Sequence, residues 1–205
     1  MALATYSDLT TALANWTARS DLTNRLPEFV SLAESDFNRE LRVAQMLVNN
    51  SNFSVSSEFV NQPSGFLEVR DWFRNDSPRS ELCFLPDELA TGYYSSSGPP
   101  KYYTISGTQF RLSPIPDGTY STTLRYFQAI PALQTNTSNW LMTAHPNLYL
   151  TNCLMQAFAY LMDDASASKW MAAYQTELQS VKSANARQRW GGSGMAVRNA
   201  GITVV

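Results

Sequence analysis

The sequence is poor in charged residues, and this scarcity limits the partners it can have. Charged residues make up 16% of its 205 residues, below the roughly one quarter of an average globular protein. The formal net charge is −2, so no overall basic field would draw the chain onto nucleic acid. Hydrophobic residues at 44% and aromatic residues at 12% are nevertheless enough to fill a core, which excludes wholesale disorder.

Residues that build metal sites and catalytic triads are also scarce. His145 is the single histidine, which excludes nearly every histidine-based metal site or triad. Cys83 and Cys153 stand in unrelated contexts, so we expect two free, buried thiols rather than a disulfide. No P-loop, glycine-rich dinucleotide motif or EF-hand spacing occurs. We therefore expect no cofactor, no metal and no enzymatic activity.

Long hydrophobic runs are absent as well. No stretch approaches the ~20 continuous apolar residues that a membrane span requires. The first residues, Met1–Asp8, show neither the basic region nor the apolar region of a signal peptide. These features predict a soluble, intracellular, globular protein without a membrane partner.

Helical periodicity is present in the first part of the chain. Thr5 and Asp8 have the spacing of a capping box, which predicts the start of a helix. Residues 5–48 are predicted to form two or three helices, with Pro27 at the first position of one of them. Two apolar stripes recur at spacings of three and four residues: Tyr6, Leu9, Leu13 and Trp16, then Phe29, Leu32, Ala33, Phe37 and Leu41.

A β-rich segment follows these helices. From Asn49 to about Ala129, aromatic and β-branched residues alternate with polar ones between turn formers, which is the period of half-buried strands. The clearest signal predicts a meander of three antiparallel strands, around Tyr103–Ile105, Phe110–Leu112 and Thr122–Tyr126.

The helical period returns after Pro131. Ser138 is expected to cap a short turn, and Pro146 to open a helix that runs to about Met162. The last helix is predicted over residues 166–190. Because the apolar stripes match, we expect these two long helices to pack antiparallel with the N-terminal ones. The stripes are Leu150, Cys153, Leu154, Ala157 and Leu161, then Trp170, Tyr174, Leu178 and Val181.

Together these patterns predict an α+β fold. It is an antiparallel α-helical bundle with an inserted antiparallel β-rich region and a flexible C-terminal tail. The expected boundaries are 1–50 for the N-terminal helices, 51–130 for the β insertion, 131–190 for the C-terminal helices and 191–205 for the extended tail. The insertion is expected to face outward from the helical body.

The end of the last helix and the tail supply the candidate interface residues. Arg and Trp are favoured contact residues, but cations at a helix C-terminus also follow from the helix dipole, so both interpretations stay open. The uncharged, β-branched end of the tail suits strand addition to another protein's sheet edge, and a frayed terminus is the alternative. The candidates are Lys182, Arg187, Arg189, Trp190, Met195, Val197, Arg198, Ile202, Val204 and Val205.

Other groups with chemical potential have simpler interpretations. Asp163–Asp164 would suit a carboxylate hydrolase, but adjacent acids that end a helix, placed against its dipole, usually face water. The pairs Tyr93–Tyr94 and Tyr102–Tyr103 would stack on sugar or single-stranded nucleic acid, but a sheet face and core explain them more simply.

Six motifs occur in a set order between residues 100 and 175. They are Tyr102–Tyr103, Leu124–Phe127, Pro131–Leu133, Asn139–Leu141, Pro146–Leu150 and Trp170–Tyr174. In this order they resemble the head-to-tail adaptor proteins of tailed bacteriophages, with Phe127 in place of a tyrosine. Further matches extend the resemblance over nearly all of residues 1–190, at Trp16, Asp21–Leu22 and Phe29–Glu34. The tail is not covered well.

The resemblance implies a structural virion protein. Such adaptors form a ring, usually a dodecamer, that docks under the portal protein, extends the DNA channel and offers tail or nozzle proteins an attachment surface. Double-stranded DNA would pass through without specific binding. The protein would be made in the host cytoplasm and act at the head–tail interface. A carbohydrate- or receptor-binding tail component and a carboxylate hydrolase acting on cell wall stay open as alternatives.

Overall fold

The long helices and the strands occupy separate parts of this chain. The computed structural model describes residues 3–19, 21–90 and 96–190, and of Ala90 and Trp190 it describes the backbone alone. The chain divides into two compact units. The helical unit comprises Met1–Ala44 and Pro131–Val205, and the β unit comprises Gln45–Ile130. The protein is therefore mixed α+β, with antiparallel sheets.

The α-helices have well-defined starts. They are α1 (Tyr6–Thr17), α2 (Leu26–Glu40), α3 (Asp87–Ala90), α4 (Trp140–Ala144), α5 (Pro146–Tyr160) and α6 (Asp164–Trp190). The predicted capping box is confirmed, because Thr5 Oγ1 accepts a hydrogen bond from the Asp8 N–H at 3.2 Å and Asp8 Oδ2 accepts one from the Thr5 N–H at 3.0 Å. Pro146 opens α5 as predicted, whereas Pro27 is the second residue of α2.

Two other helix starts differ from the prediction. Asn139, not Ser138, caps α4, because the Asn139 side chain accepts from the Met142 N–H at 2.8 Å. The last helix begins at Asp164, two residues before the predicted start. Asp163 precedes it and accepts from the Ser166 N–H at 3.1 Å. The Asp163 carboxylate thus lies at the positive end of the α6 dipole, where it is favourable, rather than opposing the dipole of α5.

The core of the helical unit is centred on α5. This helix contacts α1, α2 and α6, and it has the largest set of buried residues in the unit. The ring of Tyr149 on α5 packs edge-on against Phe37 of α2, with centroids 4.9 Å apart. Trp16 and Leu32 lie on the predicted apolar stripes but are at least half exposed. The antiparallel bundle arrangement stays a prediction.

The β unit contains two four-stranded sheets. Its strands are β1 (Leu47–Val55), β2 (Phe59–Asn61), β3 (Phe66–Arg74), β4 (Ser80–Glu81), β5 (Cys83–Phe84), β6 (Tyr102–Ser106), β7 (Gln109–Ser113) and β8 (Tyr120–Gln128). The sheet orders are β1-β8-β3-β4 and β2-β7-β6-β5. The described pairs within these sheets are antiparallel except for β5 and β6, which run parallel and depart from the predicted antiparallel region.

The predicted three-stranded meander is wrong in its third strand. Strands β6 and β7 form the expected hairpin, with Gly107 at φ +58° in its turn. Strand β8 leaves this sheet and lies between β1 and β3, where Leu124 is opposite both Asn50 and Trp72. The segment that connects β7 to β8 contains Pro114 and Pro116. Neither proline has a backbone N–H that could continue the hydrogen bonding of the sheet.

Strand β1 also begins earlier than the change in sequence pattern suggests. The prediction placed helix up to residue 48, but β1 begins at Leu47, which pairs with Phe127. Pairing with β8 fixes the strand conformation at Leu47, although the local periodicity of the sequence indicates a helix there.

The core of the β unit joins residues of both sheets. Trp72 of β3 and Phe110 of β7 are fully buried, and their rings lie 4.9 Å apart. The Trp72 Nε1–H donates a hydrogen bond to Thr122 Oγ1 at 2.8 Å, which satisfies the one polar group of the buried indole. The inner faces of the two sheets are therefore held together by aromatic packing.

Candidate functional site

The described residues contain neither a cluster of metal-binding side chains nor a helix that could span a membrane. No group of His, Cys, Asp or Glu side chains among them could hold a metal ion. No helix in the described ranges is both long and apolar enough to cross a lipid bilayer.

The C-terminal half of α6 carries three of the predicted interface residues. Lys182 Nζ lies 3.4 Å from Glu40 Oε2, which links α6 to the end of α2. Arg187 donates from Nε to the Ser183 carbonyl oxygen at 3.4 Å, and Arg189 is exposed. The last turn of α6 is therefore basic, as the sequence predicts.

These cations do not form one patch. Lys182 and Arg189 are seven residues apart, about two helical turns, and share a face of α6. Arg187 lies about 140° around the helix from Lys182 at about 100° per residue. The interface role of these residues stays a prediction. The side chain of Trp190 lies outside the described residues, as do Met195, Val197, Arg198, Ile202, Val204 and Val205.

A groove runs beside the same helix. We call it the α2–α6 groove; it has a volume of about 440 Å³. Its walls include Asp36 and Glu40 from α2, Met155 from α5, and Met171 and Tyr174 from α6. Because methionine side chains are flexible and polarizable, they suit a surface that must adapt to a partner.

The polar groups of the groove and of the residues beside it are incompletely hydrogen-bonded. Asp36 accepts from Asn152 Nδ2 and Gln156 Nε2, each at 3.2 Å, and forms an ion pair with Arg39. Tyr174 is 5% exposed, and burial, aided by the Glu40 carboxylate, raises the pKa of its hydroxyl to about 12. Tyr174 Oη lies near Asn152 and Glu40, but among the described residues neither it nor Asn152 Oδ1 makes a hydrogen bond of normal geometry. Buried polar atoms of this kind are rare and costly.

A buried carboxylate fixes the segment that precedes α4. Glu34 of α2 accepts from the Leu133 N–H at 2.7 Å and from the Tyr149 hydroxyl at 3.3 Å. Asn139 donates to the same hydroxyl and to the Pro131 carbonyl oxygen, each at 2.8 Å. Burial raises the pKa of Glu34. This network ties α2, the 131–139 segment and α5 into one body.

An exposed aromatic pair was missed at the level of sequence. The rings of Trp16 on α1 and Trp170 on α6 meet edge to face, with centroids 5.3 Å apart. Trp16 is 55% exposed, and Lys169 Nζ lies 5.6 Å from the Trp170 ring centroid. We call Trp16, Lys169 and Trp170 the tryptophan face. The periodicity of the sequence correctly placed both tryptophans on apolar helix stripes. It could not show that the ring of Trp16 is more than half exposed.

The remaining candidates are not grouped into a site. Asp163 is used as a helix cap, and Tyr103 is buried in the β core, where burial raises its pKa to about 12. Tyr93–Tyr94 lies outside the described residues. Cys153 is buried as predicted, whereas Cys83 is exposed because its strand is two residues long and lies at a sheet edge.

Comparison with known proteins addresses the family of the chain. A search of curated proteins found no match. The family model described as SU10 adaptor protein matches residues 4–198, which span both the helical unit and the β unit. The match covers far more than half of the sequence and includes the segment from Tyr102 to Tyr174. The chain therefore belongs to the SU10 adaptor protein family, a family of phage head-to-tail adaptors.

Proposed function

We propose that this protein is a structural component of the virion that forms a ring beneath the portal, extends the DNA channel and presents the attachment surface for the tail. The family match over residues 4–198 is the observation that carries this proposal. Because the match includes both units, the whole folded chain, and not one module of it, would serve the adaptor role. A dodecamer is the ring size that the resemblance implies.

The charge of the chain fits passage of DNA without capture. Its net charge of −2 gives no overall field that would hold the phosphate backbone in a channel. The ion pairs of the helical unit also occupy several of its cations, as Lys182 with Glu40 and Arg39 with Asp36 illustrate. A channel built from such a surface would let DNA slide.

The basic end of α6 and the tail that follows are the proposed contact with the portal. Lys182 and Arg189 share one face of α6, so this helix would approach the portal with a cationic edge. The terminal residues Ile202–Val205 have high β propensity and no charged side chain. Strand addition to a portal sheet edge would pair their backbone groups and cover their apolar side chains.

Binding to purified portal rings tests this arrangement. The full chain is expected to bind, and a chain truncated after Gly194 is expected to bind more weakly, since it lacks the strand-forming end. Unchanged binding of the truncated chain would contradict docking through the tail. Failure of the full chain to bind portal rings would contradict the adaptor role itself. The matched control is Lys101→Glu, an exposed cation of the β unit.

A further inference from the structure

The two flanks of α6 present surfaces of different chemistry. At about 100° per residue, Trp170 and Met171 lie about 100° apart around the helix, with Lys169 beyond Trp170 on one flank and Gln175 beyond Met171 on the other. The buried residues Tyr174, Leu178 and Val181 lie between the two sides and face α2 and α5. One flank continues onto α1 through Trp16, and the other continues onto α2 through Glu40.

We infer that these flanks are complementary, and that the tryptophan face of one copy packs into the α2–α6 groove of a second copy. This inference deepens the proposed ring and rests on it. Two different surfaces, one on each flank of the buried stripe of α6, make a head-to-tail contact, and a repeated contact of this kind closes into a ring when its rotation allows.

Apolar exposure supports a protein partner at both surfaces. Trp16 is 55% exposed on one flank, and Met171 is 49% exposed on the other. Tryptophan is among the residues that contribute most to binding when they are buried at the centre of an interface. Methionine sulfur contacts aromatic rings favourably, so Met155 and Met171 are suitable walls for an incoming indole.

The polar groups of the two surfaces also complement each other. Within the described residues, the indole N–H groups of Trp16 and Trp170 have no hydrogen-bond acceptor, whereas the groove has an unpartnered hydroxyl oxygen at Tyr174. Asn152 Oδ1 of α5 is a second buried acceptor without a partner among the described residues. An indole N–H that reached the buried Tyr174 oxygen would satisfy a group that the single chain leaves without a hydrogen bond of normal geometry.

Charge complementarity selects the same partner. Lys169 is the cation of the tryptophan face, and the groove wall carries Glu40 together with Arg39, which is paired with Asp36. Glu40 already lies 3.4 Å from Lys182 of its own chain, but that pair is solvent-exposed and such pairs stabilise little. A carboxylate accepts several donors at once, so Lys169 of a neighbouring copy can share Glu40 with Lys182.

Self-association of the purified full chain, followed by sedimentation velocity, tests the contact. Lys169→Glu and Glu40→Lys are each expected to raise the dissociation constant about tenfold or more, since each places like charges opposite one another. The double variant carrying both changes is expected to regain most of the affinity, because the swapped charges meet across the contact. Lys101→Glu is the matched control and should leave association unchanged.

Trp16→Ala provides an independent test, because its side chain is exposed and the helix should persist without it. We expect about thirtyfold weaker association, as for an interface hot spot, with little change in Tm. Phe84→Ala, which removes a similarly exposed ring at 54%, is the control on the β unit.

Three results would overturn the inference. They are a full chain that stays monomeric, folded single charge variants that associate normally, and a double variant that is not rescued. If the chain truncated after Gly194 is the one variant that loses self-association, the occupant of the groove would instead be the C-terminal tail. None of these results depends on portal binding, so failure here is distinguishable from failure of the adaptor role.

Discussion

The carboxylate of Glu34 accepts a hydrogen bond from the backbone N–H of Leu133 at 2.7 Å, across 99 residues of sequence. The whole β unit is inserted between these two residues. The bond therefore fixes the place where the chain resumes the helical unit, and it does so in a buried position where each unpaired group is costly. Several measurable consequences depend on this relationship and on its neighbours.

Replacement of Glu34 by alanine is expected to lower the free energy of unfolding by about 2 kcal/mol, since the Leu133 N–H loses its acceptor in a buried site. Glu34→Gln keeps an acceptor oxygen and should cost less. The measurement is urea unfolding followed by circular dichroism. Glu28→Ala, an exposed carboxylate on the same helix, is the control, and an equal loss in both alanine variants would contradict the role of Glu34.

The stability contributed by Glu34 should depend on pH. Burial raises its pKa above the ordinary value of 4.5, so the folded state binds the proton more tightly than the unfolded state. Its contribution is fully present below the unfolded pKa and is lost as pH rises through the folded pKa. Relative to Glu34→Gln, the wild-type chain should therefore lose stability as pH rises from about 4.5 toward neutrality. A difference that stays constant or grows would contradict the raised pKa.

The cap of α4 distinguishes Asn139 from its neighbour. Asn139→Ala removes the bond from the Met142 N–H and leaves the Tyr149 hydroxyl without a buried donor, so we expect a loss of about 2 kcal/mol. Ser138→Ala removes an exposed bond to the Ala4 carbonyl oxygen and should cost about 0.5 kcal/mol. Thermal unfolding of the two variants decides this, and the reverse order would restore Ser138 as the cap.

The two tryptophans with the clearest contacts should differ in their contribution to stability. Trp72→Ala empties a fully buried site in the β core and is expected to cost about 3–5 kcal/mol. The position of Trp170 on an apolar stripe predicts a cost of about 3–5 kcal/mol for Trp170→Ala, as for a buried aromatic. Because Trp170 is only half-buried beside an exposed ring, we expect about 1–2 kcal/mol instead. Equal losses in urea unfolding would show that Trp170 is a core residue after all.

Much of the fold was predictable because its signals are local. The Thr5–Asp8 capping box, the start of α5 at Pro146 and the hairpin at Gly107 each depend on residues within a few positions of one another. The alternation of apolar and polar residues likewise predicted β8 as a strand. It could not give the partners of β8, because pairing with β1 and β3 is a property of distant segments.

The candidate site was less predictable, for the same physical reason. The sequence marked cations at the end of α6, which the structure confirms as a basic last turn. It could not show that Asp36, Met155 and Tyr174 line one groove, since three helices contribute them. Nor could the periodicity that placed Trp16 on a stripe show that its ring would remain exposed.

The location of the protein in the virion tests the account most directly. The measurement is electron microscopy of particles in which this chain carries a site-specific label on an exposed residue such as Cys83. The account predicts one ring of label at the junction of head and tail, directly beneath the portal. Label at the tail tip would contradict it in favour of a receptor-binding component, and particles without label would show that the chain is not a structural part of the virion.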